Sequence, residues 1–376
     1  MPKGGETKQS EDSLKYGTMD KEETLLNIMR RDSMKKSKRI NIVIVAGFVL
    51  FFMVAAVPGL CSSTKPVVHM KIGAGRVTHP HHTLGLAIAD TISRKSSWLK
   101  LEAVATPGYS GNYELMRDNP ESYLALGETT NMFWMPKSDK YKRYDKYRVI
   151  GYIGPIPEVF CTYDKNIKTI KDAAGKKVNV HRRGGTQLDD YRVIFQHEGI
   201  WDNIKPVYQG FGGGMKSMAD GKVDVAPTVI DWIHPDKYLK GGLIEQAQAR
   251  GPVYYASLNR ELLAKLHTGG QTACFPVRIP PGALDPKTQP EELIALSIVA
   301  FFIADIRTPD DIVYEATKIF YENGGNYTRW HAQGANMSKE LIPSYPFSLD
   351  KMHPAAVRYY KEHNVKIMNI FDRIGK

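Results

Sequence analysis

Cysteine is scarce in this sequence, with three residues among 376. Three cysteines cannot build the disulfide framework of a small secreted domain. Cys161 and Cys274 both stand among apolar neighbours, where a free thiol behaves as a small hydrophobic side chain. We therefore expect two buried free thiols, with a pair between Cys161 and Cys274 as the alternative in an oxidising compartment.

Several motifs of nucleotide-binding proteins and enzymes are also missing. The pair Gly73 and Gly75 lacks the third glycine and the later acidic residue of a dinucleotide-binding fingerprint. No phosphate-binding loop ending in Gly-Lys-Ser/Thr occurs, and no Gly-x-Ser-x-Gly nucleophile motif occurs. These absences argue against nucleotide binding and against an enzyme, and no cofactor is expected.

Histidine is concentrated at one place, where His79, His81 and His82 follow the first predicted strand. Side chains so close together on a loop diverge, and no cysteine or carboxylate completes a metal-ligand set there. No metal site is predicted. The alternative is a loop at the rim of a cleft, with one histidine on a ligand.

Positive charge exceeds negative charge, with 51 Lys and Arg against 40 Asp and Glu and a formal net charge of +11. Nucleic-acid binding requires basic residues that are clustered with groove-reading or base-stacking elements. Here the basic residues are scattered, so nucleic acid is not an expected partner. The net charge agrees with an anionic ligand, although it describes the whole surface rather than a pocket.

One long hydrophobic run lies near the N-terminus. Four basic residues between positions 35 and 39 precede residues 40–57, which are apolar except for Asn41. This order is typical of an export signal, and the run also reaches the length of a membrane-spanning helix. We predict a cytoplasmic basic region at 1–39 and a signal peptide or membrane anchor at 40–61, with the remainder exported. Cleavage after Cys61 or Ser62, lipidation at Cys61 and a retained anchor all stay open.

Strands and helices alternate through the remaining chain, which favours an α/β fold with a largely parallel sheet. We predict strands over 67–72, 101–105, 123–126, 147–163, 177–180 and 223–226. We predict helices over 83–94, 113–117, 187–198, 293–306 and 310–322.

The length of the chain and a repeated pattern of predicted elements both indicate two lobes. A single hydrophobic core stops growing near 250–300 residues. Residues 115–126 and 218–226 each read as a helix end, a tight turn, an apolar strand and then polar residues. Two lobes of similar plan would present such strand ends to a shared crevice, which is where open α/β sheets bind ligands.

Two loops carry groups suited to holding an anion. Ser110 and Asn112 stand just before a predicted helix, where their side chains and free backbone N–H groups can bind a carboxylate. Residues 184–186 repeat this arrangement in the second predicted lobe, and Arg182 and Arg183 beside them could form a bidentate clamp. A plain helix cap is the alternative at each loop.

Six segments match one known family in order. They are residues 72–75, 110–115, 167–178, 218–224, 309–314 and 353–362. On these segments the chain from about Val68 onwards resembles the TAXI-type receptors, which are the extracytoplasmic solute-binding subunits of one class of TRAP transporters. Residues 128–131 depart from the family pattern, as do the paired arginines and the three histidines, and these departures leave the ligand's identity open.

The resemblance implies a periplasmic-binding-protein-like fold (type II) with two α/β lobes, a hinge and a central ligand cleft. It also implies a carboxylate or amino-acid-like ligand and a sodium-driven permease as partner. We predict that residues 67–150 and 253–376 form the first lobe and residues 151–252 the second. The predicted ligand-binding residues are Arg76, Thr78, Ser110, Asn112, Thr129, Arg182, Gly185, Thr186 and Asp231.

The resulting functional hypothesis is an extracytoplasmic solute-binding protein that captures a small organic anion for a TRAP-type transporter. In such a protein the ligand bridges both lobes and favours the closed state. The alternative is a membrane-tethered ligand sensor or scaffold with the same two lobes. Neither hypothesis requires enzymatic turnover.

Overall fold

A computed structural model describes residues 65–77 and 79–374. The predicted cytoplasmic region, the signal or anchor segment and Cys61 lie outside the described residues, as does Thr78. Among the helices of the described ranges, none combines the length and the apolar character needed to cross a membrane.

The strands and helices follow the alternation that the sequence predicts, with more elements than the sequence revealed. The strands are β1 (Val68–Gly75), β2 (Leu99–Ala105), β3 (Tyr123–Glu128), β4 (Tyr147–Thr162), β5 (Lys177–Asn179), β6 (Lys205–Val207), β7 (Val225–Val229), β8 (Asp231–Ile233), β9 (Lys237–Leu239), β10 (Tyr254–Ala256), β11 (Phe275–Ile279), β12 (Leu293–Asp305), β13 (Ser344–Tyr345) and β14 (Met368–Asn369). The helices are α1 (Pro80–Lys95), α2 (Tyr109–Asp118), α3 (Thr129–Trp134), α4 (Thr186–His197), α5 (Phe211–Ala219), α6 (Gly242–Gln248), α7 (Arg260–Thr268), α8 (Asp310–Glu322), α9 (Pro354–Glu362) and α10 (Phe371–Ile374).

Ten of these strands form one mixed sheet with the order β2-β1-β3-β12-β4-β7-β5-β6, in which β10 pairs with β4 and β11 with β12. The strands β1, β2 and β3 are parallel to one another, and so are β5, β6 and β7. We call the side of the sheet with β1 to β3 the first lobe and the side with β5 to β7 the second lobe.

Two long antiparallel strands, β4 and β12, run through both lobes. Their register extends from Tyr147 opposite Asp305 to Glu158 opposite Leu296. The C-terminal part of β12 also pairs with β3, whereas the C-terminal part of β4 pairs with β7. The predicted two-lobed α/β fold is therefore confirmed. The lobe boundaries at 150/151 and 252/253 remain a prediction.

The predicted helix at 293–306 is wrong, because this segment is the central strand β12. Every residue of β12 is buried. A continuous apolar run gives no periodicity that separates a buried strand from a buried helix, and here the partners on both sides are strands. The helix predicted at 310–322 is confirmed with the same bounds as α8.

Two further results concern the start of helix α2 and the state of the cysteines. Helix α2 begins at Tyr109, four residues before the predicted start, so Ser110 and Asn112 lie in its first turn. Cys161 and Cys274 are both buried and unpaired, which confirms the expectation of free thiols.

The buried strand β12 generates a stability prediction. Phe302 is fully buried and packs against Phe320 of α8, with ring centroids 5.6 Å apart. We expect Phe302→Ala to lower the free energy of unfolding by about 3–5 kcal/mol, because it removes apolar contact and leaves a cavity. Leu86→Ala, at a residue that is 40% exposed, should change it by less than about 0.5 kcal/mol. If urea unfolding showed equal losses of unfolding free energy in the two variants, the buried placement of β12 would be contradicted.

Candidate functional site

A cavity of about 610 Å³ lies where the strands of both lobes end. Ala74 and Gly75 reach it from the end of β1, Glu128 from the end of β3, and Val229 from the end of β7. Ile156, Glu158 and Ile298 of the long strands β4 and β12 also line it. The crevice predicted at the strand ends is therefore present in the structure.

The loop between β1 and α1 brings a free arginine to the cavity. Gly75 has a φ of 84°, a conformation that favours glycine, and it lets the chain turn away from β1. Arg76 follows it, lines the cavity and donates from Nε to the carbonyl oxygen of Pro107 at 2.7 Å. The rest of its guanidinium group can therefore contact a ligand.

Three helices begin at the cavity with glycine caps. The N-cap residues of α2, α4 and α5 are Gly108, Gly185 and Gly210, and none of these helices receives a side-chain cap. Gly108, Gly185 and the first residue of α5, Phe211, line the cavity. The free N–H groups and the positive dipole ends of three helices therefore point toward the same space.

Arg76 and Arg182 reach this space from the two lobes. A Cβ atom placed on Gly108 would lie 3.7 Å from Nη2 of Arg182 and 3.9 Å from Nε of Arg76. Burial lowers the pKa of Arg182, and the charge of Arg76 lowers it further. Among the described residues neither guanidinium group is within 4.0 Å of a carboxylate oxygen.

The structure places only one of the two predicted clamp arginines at the cavity. Arg182 is half-buried and lines the cavity, whereas the exposed Arg183 lies over the ring of Tyr208 at 3.8 Å from its centroid. The two adjacent arginines point in different directions, and the chain turns directly after them at Gly184, which has a φ of 83°. Of the two arginines, only Arg182 therefore lies where the predicted clamp requires it, and its role remains a prediction.

The amide of Asn131 connects the two lobes at the cavity. Its Oδ1 accepts a hydrogen bond from the hydroxyl of Ser110 at 3.2 Å and one from the hydroxyl of Thr186 at 3.1 Å. Its Nδ2 donates to Glu128. Ser110 and Thr186, both predicted from sequence, are thus brought together by a residue that the prediction did not include.

Asn112 and Thr129 do not reach the cavity. Asn112 is fully buried, and its Nδ2 donates to the carbonyl oxygen of Leu126 at 2.7 Å. Thr129 accepts a hydrogen bond from the backbone N–H of Val299 at 3.1 Å. These side chains hold α2 and β12 against β3, so their polar groups are used by the fold.

The two other predicted residues with described positions, Gly185 and Asp231, do line the cavity. Asp231 accepts a hydrogen bond from Nε2 of Gln333 at 2.6 Å, and burial raises the pKa of its carboxyl group. Thr78 lies outside the described residues.

Histidines surround one side of the cavity. His79 caps α1 by accepting from the N–H of His81 at 3.2 Å, and the ring of His81 is hydrogen-bonded to the hydroxyl of Tyr109. Burial lowers the pKa of His79 to about 4, so its ring is neutral near pH 7. Within the described ranges, no group of three or more His, Cys, Asp or Glu side chains is placed to hold a metal ion.

Two buried glutamates at the cavity were missed by the sequence analysis. Glu128 caps α3 by accepting from the N–H groups of Thr130 and Asn131 at 2.5 and 3.1 Å. Burial raises the pKa of Glu128 and of Glu158 to about 8 each. The available signal for Glu158 was a single acidic residue inside a long apolar strand, because such a position is rarely occupied without a function.

The fold and the site together define a two-lobed α/β protein with a polar cavity between its lobes. The chain belongs to the NMT1-like family, whose sequence profile matches residues 72–363, more than three quarters of the chain. The narrower TAXI assignment remains a prediction.

Several solved structures align along most of their length. The chain is similar to the periplasmic aliphatic sulphonate binding protein SsuA from Escherichia coli at 15% identity, with 83% of this chain and 98% of that chain covered and a TM-score of 0.42. MatC from Rhodopseudomonas palustris, solved with bound malate, aligns at 13% identity, 80% and 97% coverage and a TM-score of 0.43. A TctC solute binding protein from Polaromonas aligns at 13% identity, 81% and 99% coverage and a TM-score of 0.41.

The buried carboxyl groups predict a pH dependence of stability. A folded-state pKa of about 8 exceeds the ordinary value of 4.5, so the folded chain keeps a proton that the unfolded chain releases. The stabilisation is complete below about pH 4.5 and is lost as the pH rises through 8. Burial lowers the pKa of His79 to about 4 and of His181 to about 3, which has the opposite effect, but only below about pH 6.5.

We expect the free energy of unfolding to fall between pH 6.5 and 8.5, by at most about 1.4 kcal/mol per pH unit for each carboxyl group. Glu128→Gln should make this slope shallower, since an amide does not ionise. Glu291→Gln, at an exposed residue, should keep the wild-type slope. Denaturant unfolding across this pH range measures how the free energy of unfolding changes with pH. Identical slopes for wild type and Glu128→Gln would contradict the raised pKa of Glu128.

Proposed function

We propose that this protein is an extracytoplasmic solute-binding protein that captures a small organic anion, carboxylate or amino-acid-like, and does not transform it. The observation that carries the proposal is the meeting of Arg76 and Arg182, from opposite lobes and without carboxylate partners, beside the starts of three glycine-capped helices. Each of these features favours a negative charge.

An uncompensated pair of guanidinium groups is the strongest support for an anionic ligand. Burial and repulsion from Arg76 both disfavour the charged state of Arg182. An anion between the two arginines would reverse this effect, because it replaces a repulsion with two charge-assisted contacts. Arginine also offers a planar fork that matches the geometry of a carboxylate.

The size and the position of the cavity support capture between lobes. A volume of about 610 Å³ lies within the range of sites for small organic molecules. A ligand that contacts Arg76 in the first lobe and Arg182 in the second has more contacts when the lobes are close together. Ligand binding would therefore favour a closed state, which a partner can distinguish from the open one.

The partner that we propose is a TRAP-type membrane permease, to which the receptor delivers its solute from outside the cytoplasm. The support comes from the TAXI-like segments at 72–75, 110–115 and 353–362 and from the export-type sequence at 40–57. If that sequence is retained, it tethers the receptor to the membrane.

Arg182 and Arg183 provide a matched pair of variants. A ligand present at a hundred times its dissociation constant adds about 2.7 kcal/mol of stability. We expect one class among dicarboxylates, keto acids and amino acids, and no neutral sugar, to raise the melting temperature of the full-length protein. Arg182→Ala should weaken that ligand's affinity roughly 10- to 150-fold, since a hydrogen bond to a charged group contributes about 1.5–3 kcal/mol.

Arg183→Ala should bind as the wild type does, because Arg183 lies over Tyr208 and outside the cavity. Equal losses in both variants would indicate a general charge effect and would contradict the proposed site. A melting temperature unchanged by every anion would favour the sensor or scaffold hypothesis instead.

A further inference from the structure

Glu158 combines complete burial with one free oxygen at the cavity. It lies in β4 and is 1% exposed, yet it belongs to the cavity lining. Its Oε2 accepts hydrogen bonds from Nε2 of Gln187, at 2.8 Å, and from the hydroxyl of Tyr191. Its Oε1 has no hydrogen-bond partner among the described residues and is not enclosed by protein atoms, so it faces the cavity.

The surroundings of Glu158 are acidic or neutral. Glu128 faces it from the end of β3, and Asp190 and Tyr191 face it from α4. Cys274, just before β11, is also close enough for its pKa to be raised by Glu158. The residues opposite Glu158 in β7 and β12 are apolar.

The cations of the same cavity do not neutralise this glutamate. Lys240 is paired with Asp285, and neither Arg76 nor Arg182 forms an ion pair among the described residues. Burial, with the charges of Asp190 and Glu128 adding to it, raises the pKa of Glu158 to about 8. Its carboxyl group is therefore mostly protonated at pH 7.

The hydrogen bonds favour a proton on Oε1. Oε2 accepts from the amide of Gln187, which can only donate, and is also bonded to the hydroxyl of Tyr191, so we place the proton of the neutral acid on Oε1. That hydroxyl points into the cavity as a donor. An ionised Glu158 would instead repel an anion held in the same cavity by Arg76 and Arg182.

We propose that Glu158 keeps its proton in the solute-bound receptor and donates a hydrogen bond from Oε1 to a second oxygen of the solute. This inference rests on the proposed function and narrows its ligand to an organic acid with an oxygen acceptor away from the group at the arginines. Anion capture is then linked to a proton, and affinity falls when Glu158 ionises.

Calorimetric titration of the full-length protein tests this link. The probes are succinate and glutarate, with 4-aminobutyrate and 5-aminopentanoate as partners that replace one carboxylate by an ammonium group. We expect the affinity for the better dicarboxylate to be about tenfold weaker at pH 9 than at pH 6.5, because about a tenth of Glu158 remains protonated one unit above its pKa.

Three variants test whether the proton on Glu158, rather than another titrating group, causes the pH dependence of affinity. Glu158→Gln keeps an N–H donor that cannot ionise, so its affinity should fall less between pH 6.5 and pH 9 than that of the wild type, with Glu128 as the remaining buried glutamate of the cavity. Glu198→Gln, at a buried glutamate outside the cavity, should keep the wild-type profile. Tyr191→Phe removes a donor that favours the ionised form, so the loss of affinity should move to higher pH.

Two results would overturn the inference and leave the proposed function in place. One is a dicarboxylate affinity that is equal at both pH values or greater at pH 9. The other is binding of the amino compounds alone, abolished in Glu158→Gln, since an ionised Glu158 would then hold a cation. Binding of none of the four probes at either pH would overturn the proposed function together with this inference.

Discussion

The antiparallel pairing of β4 with β12 is the constraint on which the rest of the structure depends. These strands are shared by both lobes, and their residues are almost entirely buried. The same two strands supply Ile156, Glu158 and Ile298 to the cavity. The cavity lining therefore includes the most deeply buried part of the chain, whereas the arginines and the helix starts belong to separate lobes.

The site combines groups of opposite charge. Arg76, Arg182 and three helix starts supply positive potential to the cavity, and Glu128 and Glu158 supply buried acids. Both glutamates are buried in a region of low dielectric constant, which favours their protonated forms, whereas Arg76 is exposed and Arg182 is half-buried. The arginines cannot lose their protons near pH 7, and this supports the anionic ligand proposed above.

The sequence analysis succeeded where function is tied to local geometry. Ser110 and Thr186 were selected because they stand at helix starts next to glycine, and Asn131 brings these two hydroxyls together. It failed where a polar side chain could be used by either the fold or a ligand. Asn112 bonds to the backbone of β3, and Thr129 bonds to that of β12. The strands to which these residues bond are distant in sequence or follow a turn. The neighbouring residues in the sequence therefore do not show whether such a side chain bonds to the fold or to a ligand.

The sequence by itself determined the α/β class, the two-lobed plan and the positions of many of the longer helices and strands. These properties follow from hydrophobic periodicity, turn residues and composition, which act over short stretches of chain. The tertiary structure alone decided that residues 293–306 form a strand, that Arg182 rather than Arg183 enters the cavity, and that Glu158 lies buried beside it. Each of these three outcomes depends on which distant segment packs against the residues concerned, because strand pairing and burial are set by contacts between lobes and strands.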